Sequence, residues 1–167
     1  MLPLVLLDTH ILRRALFDAS NPDDDPDGKL AAEAREVLRA VWTKCYPMIV
    51  TTKLESELSG RVVPRHGILR FKTVLRELEN QFGGRGKLRP HNTDRRRRQE
   101  FSKYGEDWHH FEAASSMRDT PVWIITREDS LLKLHAPRQP GIFVKPPRDF
   151  LDESSAFKNR VEEPLSV

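Results

Sequence analysis

The chain has 167 residues, enough for one domain with a real buried core, so stability requires neither a disulfide nor a structural metal. Its single cysteine, Cys45, excludes an intramolecular disulfide framework and makes a reducing, cytoplasmic setting the expected one. The formal charge of +3 is unevenly spread: Arg85, Lys87, Arg89, Arg95, Arg96, Arg97 and Arg98 face one acid, Asp94, a local +6 that leaves −3 elsewhere. A mildly acidic body with one basic arm is the asymmetry expected when an acidic site must approach a polyanion.

In chain order, Leu4–Leu7 is the first apolar run and reads as a buried strand. The N-terminal segment lacks a basic region and meets Asp8 at once, so neither a signal peptide nor a membrane span is expected. Ile11, Leu12, Ala15 and Leu16 follow with helical spacing. Residues 18–28, holding Asp23, Asp24, Asp25 and Asp27, read as a solvated acidic loop. The strongest amphipathic signal comes next, with Leu30, Ala34, Val37, Leu38 and Val41 on one helical face.

Met48–Val50 is the second expected strand, and Thr51 is placed to cap a helix carrying Glu57. Ile68, Phe71, Leu75 and Leu78 suggest another helix. Residues 82–105, with the glycines, prolines and arginines, resist assignment and are expected to be mobile without ligand. Trp108, Phe111 and Ala114 indicate a helix before a third strand, Val122–Ile125, and Ile142–Val144 is the fourth. After Pro147 the chain turns helical (Arg148–Leu151) and then loses its apolar pattern.

Continuous apolar runs alternating with helices point to an α/β fold, a three-layer α/β/α sandwich with a mainly parallel central sheet of four to five strands. The expected organisation is one domain over 1–151, a basic insertion at about 82–105, and a C-terminal tail, 152–167, that is partly helical.

Sites in such sheets form beyond the carboxyl ends of the strands. Asp8 follows the first strand directly. Glu57 lies on the helix after the second, where side chains lean back toward the strand end. Asp107 opens the helix before the third strand, which itself runs into Thr126-Arg127-Glu128-Asp129. Four acids from distant parts of the chain are thus expected at one edge. Carboxylates so close raise one another's pKa or recruit a cation, and hard oxygen ligands favour Mg²⁺ or Mn²⁺.

These motifs resemble the PIN-domain family, which includes the toxin ribonucleases of toxin–antitoxin pairs. The matching residues are Asp8-Thr9-His10 after the first strand and Thr51, Glu57 and Leu58 after the second. Asp107 through Ala114 and Thr126-Arg127-Glu128-Asp129 follow, and Val144 to Leu151 echoes the family's final strand, proline and Phe-Leu helix.

The resemblance spans roughly residues 4 to 151. It implies a metal-dependent endoribonuclease cleaving single-stranded RNA, with Asp8, Glu57, Asp107 and Glu128 holding the ion and Asp129 the rival fourth acid. Thr9 and Thr126 would position water or phosphate. The arginine arm would hold RNA phosphates, and Phe82, Phe101, Tyr104 and Trp108 could stack on bases, although Trp108 reads equally well as core. RNA is the expected partner; the resemblance adds an antitoxin protein and a homodimer as candidates, and no membrane. His10, His109 and His110 read as surface or packing histidines. The competing readings are an inactive PIN-like module that binds RNA or protein, and a nuclease acting on DNA or structured junctions.

Overall fold

The first strand, β1 (Leu4–Leu7), is apolar and buried at all four positions, which suits the centre of a sheet covered on both faces. The computed structural model describes residues 2–17, 25–44, 46–62, 88–117, 119–134 and 141–161, together with 73, 76 and 80. After β1 come α1 (Thr9–Phe17), α2 (Lys29–Thr43), β2 (Met48–Thr51) and α3 (Thr52–Val62). Next are β3 (Leu88–His91), a 3-10 segment (Arg95–Asp107), α4 (Trp108–Ser115) and β4 (Val122–Ile125). The chain closes with α5 (Asp129–Leu134), β5 (Ile142–Lys145) and α6 (Pro147–Val161). Of the helix expected around Ile68–Leu78 only Thr73 and Arg76 are described, both helical; Ile68, Phe71, Leu75 and Leu78 lie outside the described residues, as do Phe82, Cys45, Arg85 and Lys87.

All strand pairings are parallel, in the order β3-β2-β1-β4-β5. Because successive side chains of a strand point to opposite faces, each strand divides its apolar residues between two cores. Val5, Leu7, Met48 and Val50 join Val37, Val41 and Trp42 of α2, Ile11 and Leu12 of α1, and Phe150 of α6. Leu4, Leu6, Ile49, Val122 and Ile124 join Phe101, Tyr104, Trp108 and Phe111 on the other side. The fold is therefore a three-layer α/β/α sandwich. In the second core the Tyr104 and Phe111 rings lie parallel with centroids 3.5 Å apart.

Two expectations need correction. Residues 88–107 are a built part of the fold: β3 pairs with β2 from Met48–Leu88 to Thr51–His91, and the 3-10 segment packs on α4. β3 escapes sequence detection because Leu-Arg-Pro-His has one large apolar residue, and a proline is tolerated here only because the strand is at the edge. The acidic loop is not wholly solvated, since Asp25 is buried and accepts from the Leu30 and Ala31 amides, both at 3.0 Å, where α2 begins. Of the C-terminal tail, residues 152–161 are helical, α6 running from Pro147 to Val161. Among the described residues no helix is long and apolar enough to cross a membrane.

The strand order reverses between β1 and β4, since β2 and β3 lie to one side and β4 and β5 to the other. The carboxyl ends of these two strands flank the crevice where open α/β sheets bind ligands. Asp8 and Thr126 are the residues that follow them.

Candidate metal centre

The backbone holds Asp8 from both sides: its amide donates to the Ile125 carbonyl at 3.0 Å, and its own carbonyl accepts from the Leu12 amide at 3.1 Å to start α1. Its side chain is 2% exposed. Oδ2 accepts a 2.9 Å hydrogen bond from the Thr126 hydroxyl, while Oδ1 has no hydrogen-bond partner among the described residues. Burial by itself would raise this carboxyl, but the His110 imidazole and the Thr126 hydroxyl beside it hold it below its ordinary value.

Asp107 reaches the same place from the other side. Gly105 (φ 59, ψ −133) breaks the 3-10 segment just before it, a conformation only glycine adopts without strain. Asp107 occupies the N-cap position of α4, yet its carboxylate makes no capping hydrogen bond. Capping therefore does not account for it. Burial pushes its carboxyl up to about 7, reinforced by the charges of Asp8, Glu128 and Glu57, with His110 opposing. All three other acids proposed from the sequence thus act on Asp107.

His110, one turn into α4, is fully buried, with Nε2 3.7 Å from Asp8 Oδ1 and 3.7 Å from Asp107 Oδ1. Both separations exceed hydrogen-bonding distance. One ligand atom from each of Asp8, Asp107 and His110 lies within 4.8 Å of the others.

Glu57 sits behind this group. Thr51 Oγ1 accepts from the Leu54 amide at 2.9 Å and so organises the first turn of α3. Glu57 Oε2 accepts from the Thr9 hydroxyl at 2.7 Å, and Oε1 lies 3.3 Å from Nε2 of the fully buried His109. Burial opposes ionisation of Glu57, but His109 and Thr9 outweigh it and bring the carboxyl to about 2. Burial brings His109 down to about 4, helped by His110 and opposed by Glu57. At neutral pH the pair is a carboxylate beside an uncharged imidazole.

The Glu128 amide donates to Thr126 Oγ1 at 3.1 Å, and its half-buried side chain lines a cleft of about 350 Å³ with Asp8. Asp129 is exposed at the start of α5. The four-acid expectation thus becomes a close group of Asp8 and Asp107, with Glu57 and Glu128 around it. Thr9 and Thr126 serve the carboxylates directly, as donors to Glu57 and Asp8.

The cleft beside Asp8 is also lined by His10, Arg13, Arg14 and Arg127. A second groove, about 500 Å³, is formed by Arg95, Arg96, Arg98, Gln99, Ser102, Gly105 and Glu106, and its wall runs along the chain into Asp107. Within the arm, Arg96 is paired with Asp94 and Arg97 with Glu100, whereas Arg95 and Arg98 make no ion pair among the described residues. Arg89 is exposed on β3. Phe101, Tyr104 and Trp108 are all 3–4% exposed, so stacking on bases is not open to them; they are core.

Sequence reasoning reads His109 and His110 as surface or packing histidines; both are fully buried, but it does not anticipate that they face Glu57 and Asp8, and it does not single out Arg13, Arg14 and Arg127. The histidines carried a readable signal. In Trp108-His-His-Phe-Glu-Ala-Ala114 every residue is buried, and polar side chains on a helix apolar all round must meet polar partners inside. Arg13 and Arg14 lie within the α1 helix that Asp8 starts, close enough to be considered with it. In comparisons with known proteins, no family model, no curated protein and no solved structure matches this chain.

The residues fit a divalent ion. Asp8 Oδ1 and His110 Nε2 are buried polar atoms without hydrogen bonds among the described residues, and the Asp107 carboxyl is strained toward protonation by burial and neighbouring charge. A cation at their centre would relieve all three at once.

Proposed function

We propose that the chain is a metal-dependent endoribonuclease acting on single-stranded RNA. The observation that carries this reading is the meeting of Asp8 and Asp107 at the sheet's switch point, with a buried Asp8 oxygen that has no hydrogen bond among the described residues. A divalent ion bound there supplies charge neutralisation and a lowered water pKa, the two requirements of phosphodiester hydrolysis at neutral pH.

The chain's own groups have separable roles in this reading. Thr126 fixes the Asp8 carboxylate so that Oδ1 faces Asp107 and His110. Thr9 and His109 hold Glu57 ionised behind them, adding negative charge that favours a cation. Arg13, Arg14 and Arg127 line the cleft next to Asp8, where a scissile phosphate and its neighbours would lie. The groove of Arg95, Arg96 and Arg98 extends the basic track for flanking nucleotides. Such contacts hold phosphate without reading bases, so little sequence preference is expected from them. The narrower reading, the toxin of a toxin–antitoxin pair with a small protein inhibitor and a homodimer, rests on the sequence resemblance alone.

The test is cleavage of end-labelled single-stranded RNAs in Mg²⁺ or Mn²⁺ by the wild type and by Asp8→Asn. Ion-dependent cutting that leaves 5′-phosphate ends and is lost in Asp8→Asn is the expected result. Equal activity in both proteins contradicts the proposal, as does none in either. RNA binding without cutting would identify a binding module instead, and cutting confined to DNA or junctions a different nuclease.

A further inference from the structure

We propose that His110 is a nitrogen ligand of the same centre, giving it a two-aspartate, one-histidine donor set that prefers a divalent transition ion to Mg²⁺. This rests on the reading of Asp8 and Asp107 as a metal site, and it departs from the all-carboxylate set that the sequence suggests.

The first argument is burial. His110 is fully buried, and neither ring nitrogen makes a hydrogen bond among the described residues. A buried imidazole with nothing to donate to or accept from is costly unless another species meets it. The second argument is direction. Nε2 faces Asp8 Oδ1 and Asp107 Oδ1 at equal distances of 3.7 Å, too long for hydrogen bonds to either. Two atoms each about 2.1 Å from one ion can be no more than about 4.2 Å apart, so both separations suit a shared ion.

A third argument comes from the contrast with His109. That imidazole lies next to it, with ring centroids 4.0 Å apart, but turns Nε2 to Glu57 at 3.3 Å. Successive residues of one helix point about 100° apart, so the two histidines serve different acids. His109 accompanies a carboxylate that already has the Thr9 hydroxyl, whereas His110 faces the oxygen of Asp8 that has no hydrogen-bond partner among the described residues.

The chemistry then sets the preference. Mg²⁺ favours hard oxygen ligands in near-ideal octahedral geometry and keeps several waters. Neutral imidazole binds transition ions better than Mg²⁺, so one nitrogen among two carboxylates shifts selectivity while leaving room for water or phosphate oxygens.

Mn²⁺ is the probe, because binding is read by loss of the free-ion EPR signal and nitrogen ligation by ¹⁴N modulation in electron spin-echo spectra. The wild type should bind Mn²⁺ with ¹⁴N modulation, and Mg²⁺ should compete only at roughly tenfold or greater excess. His110→Gln should lose the modulation and most of the Mn²⁺ preference, whereas His109→Gln should keep the modulation. Mn²⁺ bound by the wild type without modulation would overturn the proposal, a result that needs no variant to fold. Modulation that survives His110→Gln would also overturn it. Failure of the wild type to bind Mn²⁺ at all would remove the metal site itself. A nitrogen-ligated ion in a protein that cuts no RNA would remove the nuclease reading and leave His110 a ligand.

Discussion

The Thr126 hydroxyl donates to Asp8 Oδ2 at 2.9 Å, joining the ends of β1 and β4 across 118 residues of sequence. The same oxygen accepts from the Glu128 amide at 3.1 Å. One side chain therefore orients the central carboxylate and sets the turn that carries a neighbouring acid. Thr126→Val keeps the shape but removes both bonds, and hydrogen bonds to charged groups contribute about 1.5–3 kcal/mol. Urea unfolding should show a loss of about 2 kcal/mol in Thr126→Val and little change in Thr126→Ser. Equal losses in the two variants would mean that packing, not the hydroxyl, matters there.

Asp107 depends on the turn at Gly105. A Cβ at this position meets nothing within 4 Å, so any cost of Gly105→Ala is conformational, arising from φ 59 and ψ −133. Such backbone strain costs about 1–3 kcal/mol. Relaxation of the turn should also displace Asp107, two residues on, and weaken Mn²⁺ binding measured by calorimetry. Unchanged stability and unchanged affinity in Gly105→Ala would show that the turn does not position the acid.

The raised Asp107 carboxyl makes a signed prediction for the metal-free protein in EDTA. Its value is 3.8 ordinarily and about 7 when folded, so between these limits the folded state binds more protons than the unfolded state. The stability it contributes is fully present below about 4 and is lost as pH rises through about 7. Asp107→Asn lacks this dependence. The variant should therefore gain on the wild type between pH 4 and 7, by on the order of 2 kcal/mol after allowance for partial exposure. Chemical denaturation across that range measures the difference, and a flat difference would contradict the electrostatic account of the cluster.

Arginines of the arm should separate into two kinds. Arg97 bonds to Glu100 and lies over the Phe101 ring at 5.1 Å, so it is partly structural, whereas Arg95 and Arg98 line the groove without ion pairs among the described residues. Replacing Arg95 and Arg98 by alanine should make the salt dependence of single-stranded RNA binding shallower by roughly 1.4 in log–log slope. Arg97→Ala should change the slope less and lower stability more. An unaltered slope in the double variant would make the groove irrelevant to RNA.

Much of this arrangement is legible in the residues, for definite reasons. Leu4–Leu7 and Val122–Ile125 announce themselves because central parallel strands are apolar throughout, and an acid directly after such a strand must lie at the sheet's edge. β3 is hidden because an edge strand needs little apolar surface, and Arg89 and Pro90 are exposed on it. The buried role of Asp25 is hidden among neighbouring aspartates that compose an ordinary loop. His110 reads as a packing histidine, and it is buried, but what it faces is not legible. Its neighbours label α4 as core, and only the positions of Asp8 and Asp107 reveal what a core histidine could face.

The account depends most on the space between Asp8, Asp107 and His110. Crystals soaked in Mn²⁺ and measured with anomalous scattering test it directly. The expected result is a single strong peak bounded by Asp8 Oδ1, Asp107 Oδ1 and His110 Nε2. A difference map with no peak at that position, under conditions where Mn²⁺ saturates other carboxylates on the surface, would contradict it.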